Sequence, residues 1–182
     1  MKTKETSIIT TVKDSIISAI ESSGDIAKTM MDTVAETIGN MIKDTGKVGT
    51  SLTDTITTVT SGAIHAAAHA GADVGNAARD IVIGVLRGTK ETGIDAIAAI
   101  GQTAEAAIKN TAEVGGDIGA AATGLINGTI TGAKEIGINS EDAVSAATTG
   151  ALKAAGKIGD GAVTAVRTAV SKSPHTPKEE KK

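Results

Sequence analysis

Apolar residues return along this chain in steps of four, three, four, four and three. With Gly49, Gly71 and Gly93 set at position 1 of a 22-residue unit, they fall at positions 4, 8, 11, 15, 19 and 22. Position 8 reads Val12, Val34, Ile56, Ala78, Ile100, Ala122, Val144 and Val166. Position 16, on the rim of the same face, reads Ile20, Ile42, Ile64, Leu86, Ile108, Ile130 and Leu152. Strand-like alternation never persists and proline is confined to Pro174 and Pro177, so an all-α chain is predicted. The charges agree. Between Lys13 and Arg167, every Asp, Glu, Lys and Arg except Asp44 and Glu141 occupies position 2, 3, 6, 9 or 10 of the 11-residue half-unit. One polar arc thus opposes one apolar arc.

Glycine keeps the same beat at Gly49, Gly71, Gly93, Gly115, Gly137 and Gly159, and a second series at Gly62, Gly84, Gly128 and Gly150 is broken by Ala106. Gly71–Gly93 also matches Gly115–Gly137 at a shift of 44 residues, which marks a repeat architecture. Three helical turns per eleven residues predict a long hendecad amphipathic helix in a nearly straight or right-handed coiled-coil assembly. Unbroken, it would be roughly 250 Å long. The alternative comes from position 3, where Ser51, Asp73, Asp95, Asp117 and Asn139 follow the glycines as helix N-caps. Gly-x-Asp is also how one helix stops and another starts, which would give a meander of helices about 18 residues long. Gly137-Ile138-Asn139-Ser140-Glu141-Asp142 is the strongest such site. Continuity is the favoured expectation, because the apolar phase passes through every glycine.

Three segments follow. Residues 1–45 have larger apolar side chains, including Met30, Met31, Met41 and Ile42, and should be stiffer. Residues 46–170 are the Gly/Ala/Thr-rich repeats, and residues 171–182, with Pro and dense charge, read as a disordered tail. Small residues gather on one flank, with Ala77, Ala99, Ala121 and Ala143 at position 7 beside the second glycine series. The small pairs Gly71/Gly75, Gly84/Gly88, Gly115/Gly119 and Gly124/Gly128/Gly132 are expected to let helix backbones approach closely. A small flank opposite a larger one also suits head-to-tail packing of copies.

Composition sharpens that expectation. The 182 residues include no Phe, Tyr, Trp or Cys, so the aromatic side chains that usually anchor a core are absent. Ala and Gly bury little area each, and the apolar stripe is therefore expected to need a partner, most simply another copy of the chain. A net charge of −3 with mixed signs offers no basic patch for nucleic acid. Polar residues interrupt Ile8-Ile9 at once, so a conventional secretory signal is not expected, and the location implied is cytoplasmic or membrane-associated. No window approaches 18 unbroken apolar residues.

Candidate chemistry is sparse. His65 and His69 lie four apart with no third ligand, which favours a solvated pair over a metal site. Gly150 to Lys157 has one residue too many for a P-loop and ends on Ile158 in place of Ser or Thr. Asn127-Gly128-Thr129 is a formal glycosylation sequon without a signal peptide. No catalytic, cofactor-binding or metal-binding residue is assigned, and neither an enzyme nor a small-molecule substrate is expected.

The string Gly88-Thr89-Lys90-Glu91-Thr92-Gly93-Ile94-Asp95 resembles the 11-residue repeats of perilipins. Lys2-Thr3-Lys4-Glu5 resembles the start of the synuclein repeat, with Thr6-Ser7 where that repeat has Gly-Val. The resemblance implies binding to lipid surfaces as a long helix. The leading expectation is a non-enzymatic structural protein that self-assembles through its hendecad helix, associated with a membrane. The alternatives are a lipid-surface binder disordered in water, and a compact bundle or solenoid with a stress-protective role. The last is similar in type to the late-embryogenesis-abundant family, whose 11-residue repeats are more heavily charged.

Overall fold

The computed structural model describes residues 2–48, 52–90, 92 and 94–173. Among them are eight α-helices and no strand: α1 (Lys2–Ser23), α2 (Ile26–Val48), α3 (Leu52–His69), α4 (Val74–Lys90), α5 (Ala96–Glu113), α6 (Ile118–Ile136), α7 (Ser140–Ile158) and α8 (Asp160–Ser171). The chain is a meander, and the expected continuous helix and coiled coil are corrected. Gly49 and Gly93 lie outside the described residues.

Local chemistry makes the reversal at Gly137. Gly137 adopts φ +81°, and its N–H and that of Ile138 both donate to the Ala133 carbonyl, at 2.9 and 3.0 Å. This is a left-handed helix end that a side chain resists. Two residues later the Asn139 side chain accepts hydrogen bonds from the Glu141 and Asp142 N–H groups and starts α7. Asp25, Asp73, Asp95 and Asp117 cap α2, α4, α5 and α6 in the same way. Gly137→Ala separates the two architectures. A helix interior would gain roughly 1 kcal/mol from the change, whereas this turn should lose about 1 kcal/mol, read as a lower midpoint in urea unfolding.

The apolar phase survives these reversals because it does not have to cross them continuously. Over one 18-residue helix, periods of 3.60 and 3.67 residues diverge by only about 30°. From α3 to α7 one helix plus its turn fills 22 residues, so each of these helices restarts in phase.

The helices form two layers. Helices α1, α3, α5 and α7 lie side by side in one, α2, α4, α6 and α8 in the other, and successive helices pack across between layers. The 44-residue repeat is therefore one helix pair, stacked on its neighbours as in helical solenoids. Residues 2–48 supply the first pair of this stack, and α8 runs on to Ser171, while residues 174–182 of the expected tail lie outside the described residues.

The whole position-8 column is buried, from Val12 through Val166. Of position 16, Ile20, Ile64, Leu86 and Ile108 are buried, and Ile42, Ile130 and Leu152 are half-buried. Among the described residues the exposed large apolar side chains are Ile26, at 37%, and Ile158, at 43%. The expectation that an outside partner must cover the stripe is thus corrected, since the chain covers it itself. Many thin Ala, Val and Ile contacts across stacked helices replace the missing aromatics.

Candidate functional site: helix contacts and the cleft at Asp80

Six of the glycines singled out in the sequence lie where neighbouring helices touch within this chain. A Cβ on Gly124 of α6 would run into the Gly75 carbonyl of α4, and one on Gly75 would come within 2.9 Å of the Ala120 carbonyl. On Gly128 it would meet the Arg79 carbonyl at 2.5 Å, and on Gly132 the Leu86 Cδ1 at 2.6 Å. In α4, a Cβ added on Gly84 or Gly88 would come within 2.7 or 2.8 Å of the Met31 or Ala35 carbonyl of α2. Gly119 is looser, since a Cβ added there would lie 3.9 Å from the Ala165 Cβ. Ala77, Ala99, Ala121 and Ala143 are all buried in the core. Gly71 and Gly115 are corrected from packing residues to turn residues, with φ near +70° and nothing within 4 Å of an added Cβ.

The odd layer follows the same rule at two contacts and departs from it at the third. Gly62 of α3 seats Val12 of α1, and a Cβ on Gly150 of α7 would run into the Gly101 carbonyl of α5. In α5, Ala106 interrupts the series, and one turn on, Asn110 accepts a 2.7 Å hydrogen bond from the Ser61 hydroxyl of α3. The amide of Asn110 in turn donates to the Ala106 carbonyl. Gln102 also donates to the Thr53 hydroxyl, so a polar seam joins α3 to α5.

Ion pairs tie the outer faces. Arg87 of α4 holds Glu135 of α6 through two hydrogen bonds, 2.8 and 3.1 Å, and reaches Asp32 of α2 at 3.9 Å. The hydrogen bonds from Arg87 keep the Glu135 carboxyl below the usual carboxylate range. Burial pushes Glu105 of α5 up, but hydrogen bonds from Lys153 and Lys157 of α7, both 2.8 Å, outweigh it and hold the carboxyl low. These contributions are present above the ordinary Glu range and are lost as pH falls through the lowered values. All are partly exposed and correspondingly weak.

A register shift sets one site apart. Gly128 faces the carbonyl 49 residues before it, at Arg79, whereas Gly84 faces the carbonyl 53 residues before it, at Met31. Helix α2 is thus slid by one turn against α4. The sequence carries the same offset, since Asp25 stands four residues ahead of Thr29, the position 44 residues before Asp73. As a result Asp80, which occupies the repeat position of Gly124, meets the first turn of α2 where its counterpart meets bare backbone. A cleft of about 360 Å³ opens there, walled by Ile26, Ala27, Met30, Ala77 and Asp80.

Asp80 is 3% exposed, and its Oδ1 accepts no hydrogen bond. The Arg79 guanidinium lies 3.8 Å away, beyond hydrogen-bonding reach. Burial pushes the carboxyl above the usual Asp range; Arg79 opposes this and nearby Asp25 adds to it. Ionised Asp80 is therefore worse off folded than unfolded. Its contribution to stability is fully present below the ordinary Asp range and is lost as pH rises through the raised value. Asp80→Asn should consequently raise stability at pH 7 by about 1 kcal/mol, with the gain closing as the solution is acidified toward pH 4. Thermal melts at the two pH values measure it.

Sequence reasoning assigned Asp80 to the solvated arc. The available signal was its alignment over Gly124, a charge in a packing column. His65 Nδ1 donates to the Ser61 carbonyl at 2.8 Å, and Gly128 and Thr129 of the sequon are buried in α6. Among the described residues no group of three potential ligands is placed to hold a metal ion, and no helix is long and apolar enough to cross a membrane.

No protein-family model matches this sequence, and no curated protein does. Its fold is similar to the crystal structure of a de novo designed helical repeat protein, DHR7, with a TM-score of 0.56 at 19% identity over 93% of this chain and 92% of that one. That likeness concerns the fold, which is all-α and helical-repeat-like.

Proposed function

We propose that this protein is a non-enzymatic structural scaffold, a helical-repeat solenoid that stands without a partner to complete its core. The observation that carries this reading is the burial of the position-8 column in all eight helices by the chain's own neighbours. The ends support it. Positions that are glycine in the inner helices Gly62 and Gly84 become exposed Ser18 in α1 and exposed Asn40 in α2. At the other end, α7 and α8 present Ser145, Thr149 and Arg167. Polar terminal repeats stop a solenoid from stacking end to end.

Circular dichroism and sedimentation test the reading. The protein is expected to be highly helical in buffer alone, to sediment as a single 18.0 kDa chain at micromolar concentration, and to be unchanged by anionic liposomes. A helix signal that develops only on vesicles would favour the lipid-surface alternative. An oligomer at micromolar concentration would favour self-assembly, and either result overturns the proposal.

A further inference from the structure

We propose that the cleft between the N-terminal turns of α2 and α4 binds a small aliphatic ammonium compound, its cationic head on the Asp80 carboxylate and its chain on Ile26, Ala27 and Met30. A carboxylate removed from water needs hydrogen-bond donors or a close countercharge, and leaving one without them is costly. Asp80 is 3% exposed and lines an open cleft, yet its Oδ1 has no hydrogen-bond donor within the described chain and only the Arg79 guanidinium, at 3.8 Å, as a countercharge. An ammonium N–H in the cleft would supply a charge-assisted bond to this carboxylate once the side chain turns its closed-off Oδ1 outward.

The surroundings select the rest of the ligand. Asp73 joins Asp80 in lining the cleft and Asp25 lies close enough to act on Asp80's charge, against one guanidinium, that of Arg79. Asp25 and Asp73 spend much of their charge on the N-termini of α2 and α4, so the attraction for a cation rests on Asp80 itself. No trio of ligating side chains is present among the described residues, so the cation the site suits is organic. Apart from the Asn76 amide the remaining wall is aliphatic, and Ile26 is one of two large apolar side chains left exposed among the described residues. About 360 Å³ is at the small end of ligand pockets, the scale of a short alkyl chain with one polar head.

Titration of the intact protein with hexylammonium chloride, followed by methyl NMR, tests this. Saturable shifts are expected at the Ile26 and Met30 methyls, with hexan-1-ol binding at least tenfold more weakly. Asp80→Asn should weaken hexylammonium at least tenfold while circular dichroism stays that of the parent. Ala27→Leu, at an exposed position on the cleft wall, should block binding while leaving the carboxylate in place. Absence of saturable shifts at these methyls, hexan-1-ol binding as tightly as the amine, or parental affinity in either variant, overturns the proposal.

Discussion

Gly124→Ala is expected to lower stability by about 2 kcal/mol, although alanine is the better helix former. The helix-propensity gain is roughly 1 kcal/mol, and forcing a methyl into a filled contact costs about 3 kcal/mol at the upper end of overpacking. The upper end applies because the obstacle is backbone. The new Cβ would strike the Gly75 carbonyl, which cannot rotate away without breaking its helix, so α4 and α6 must separate as bodies. Gly150→Ala, against the Gly101 carbonyl, should behave alike in the odd layer. The control is Gly156→Ala in α7, where nothing lies within 4 Å and the propensity gain of about 1 kcal/mol should appear undiminished. Urea unfolding of the three variants measures these values. A stabilised Gly124→Ala would mean that the helices do not touch as described.

The second large effect is expected at Leu86, which is fully buried. Leu86→Ala should cost about 3 kcal/mol, the lost transfer energy plus the cavity. Its side chain fills the notch beside Gly132, where an added Cβ would meet Leu86 Cδ1 at 2.6 Å. Gly132→Ala alone crowds that flexible tip and should be milder than Gly124→Ala. Combined with Leu86→Ala, the new methyl occupies part of the cavity. The double variant should therefore be more stable than the sum of the singles predicts, by about 1 kcal/mol. Strict additivity would show that Leu86 and Gly132 do not share this contact.

Much of the fold was legible in particular residues. The position-8 column named the core of every helix, and Asp73, Asp95, Asp117 and Asn139 named where helices begin. Gly124, Gly128 and Gly84 were recognisable as close-packing positions, but not as contacts within one chain. A small-residue stripe is the same whether its partner is a second copy or the next helix of the same polypeptide. Asp80 was not legible as a special position, because its periodicity is that of the solvated arc.

By itself the sequence determined helix type, the phase of the buried face and the repeat length, because these depend on interactions within a few turns. It held both signals at Gly137, an uninterrupted apolar phase and a Gly-x-Asn cap, with a local preference for either. Only the tertiary structure decided between them. Reversal at turns such as Gly71, Gly115 and Gly137 lets the chain bury its own stripe against helices one and two places away, a gain that no local term contains. It also set the one-turn offset of α2 against α4, and that offset turns Asp80 from a surface charge into a buried carboxylate facing a cleft.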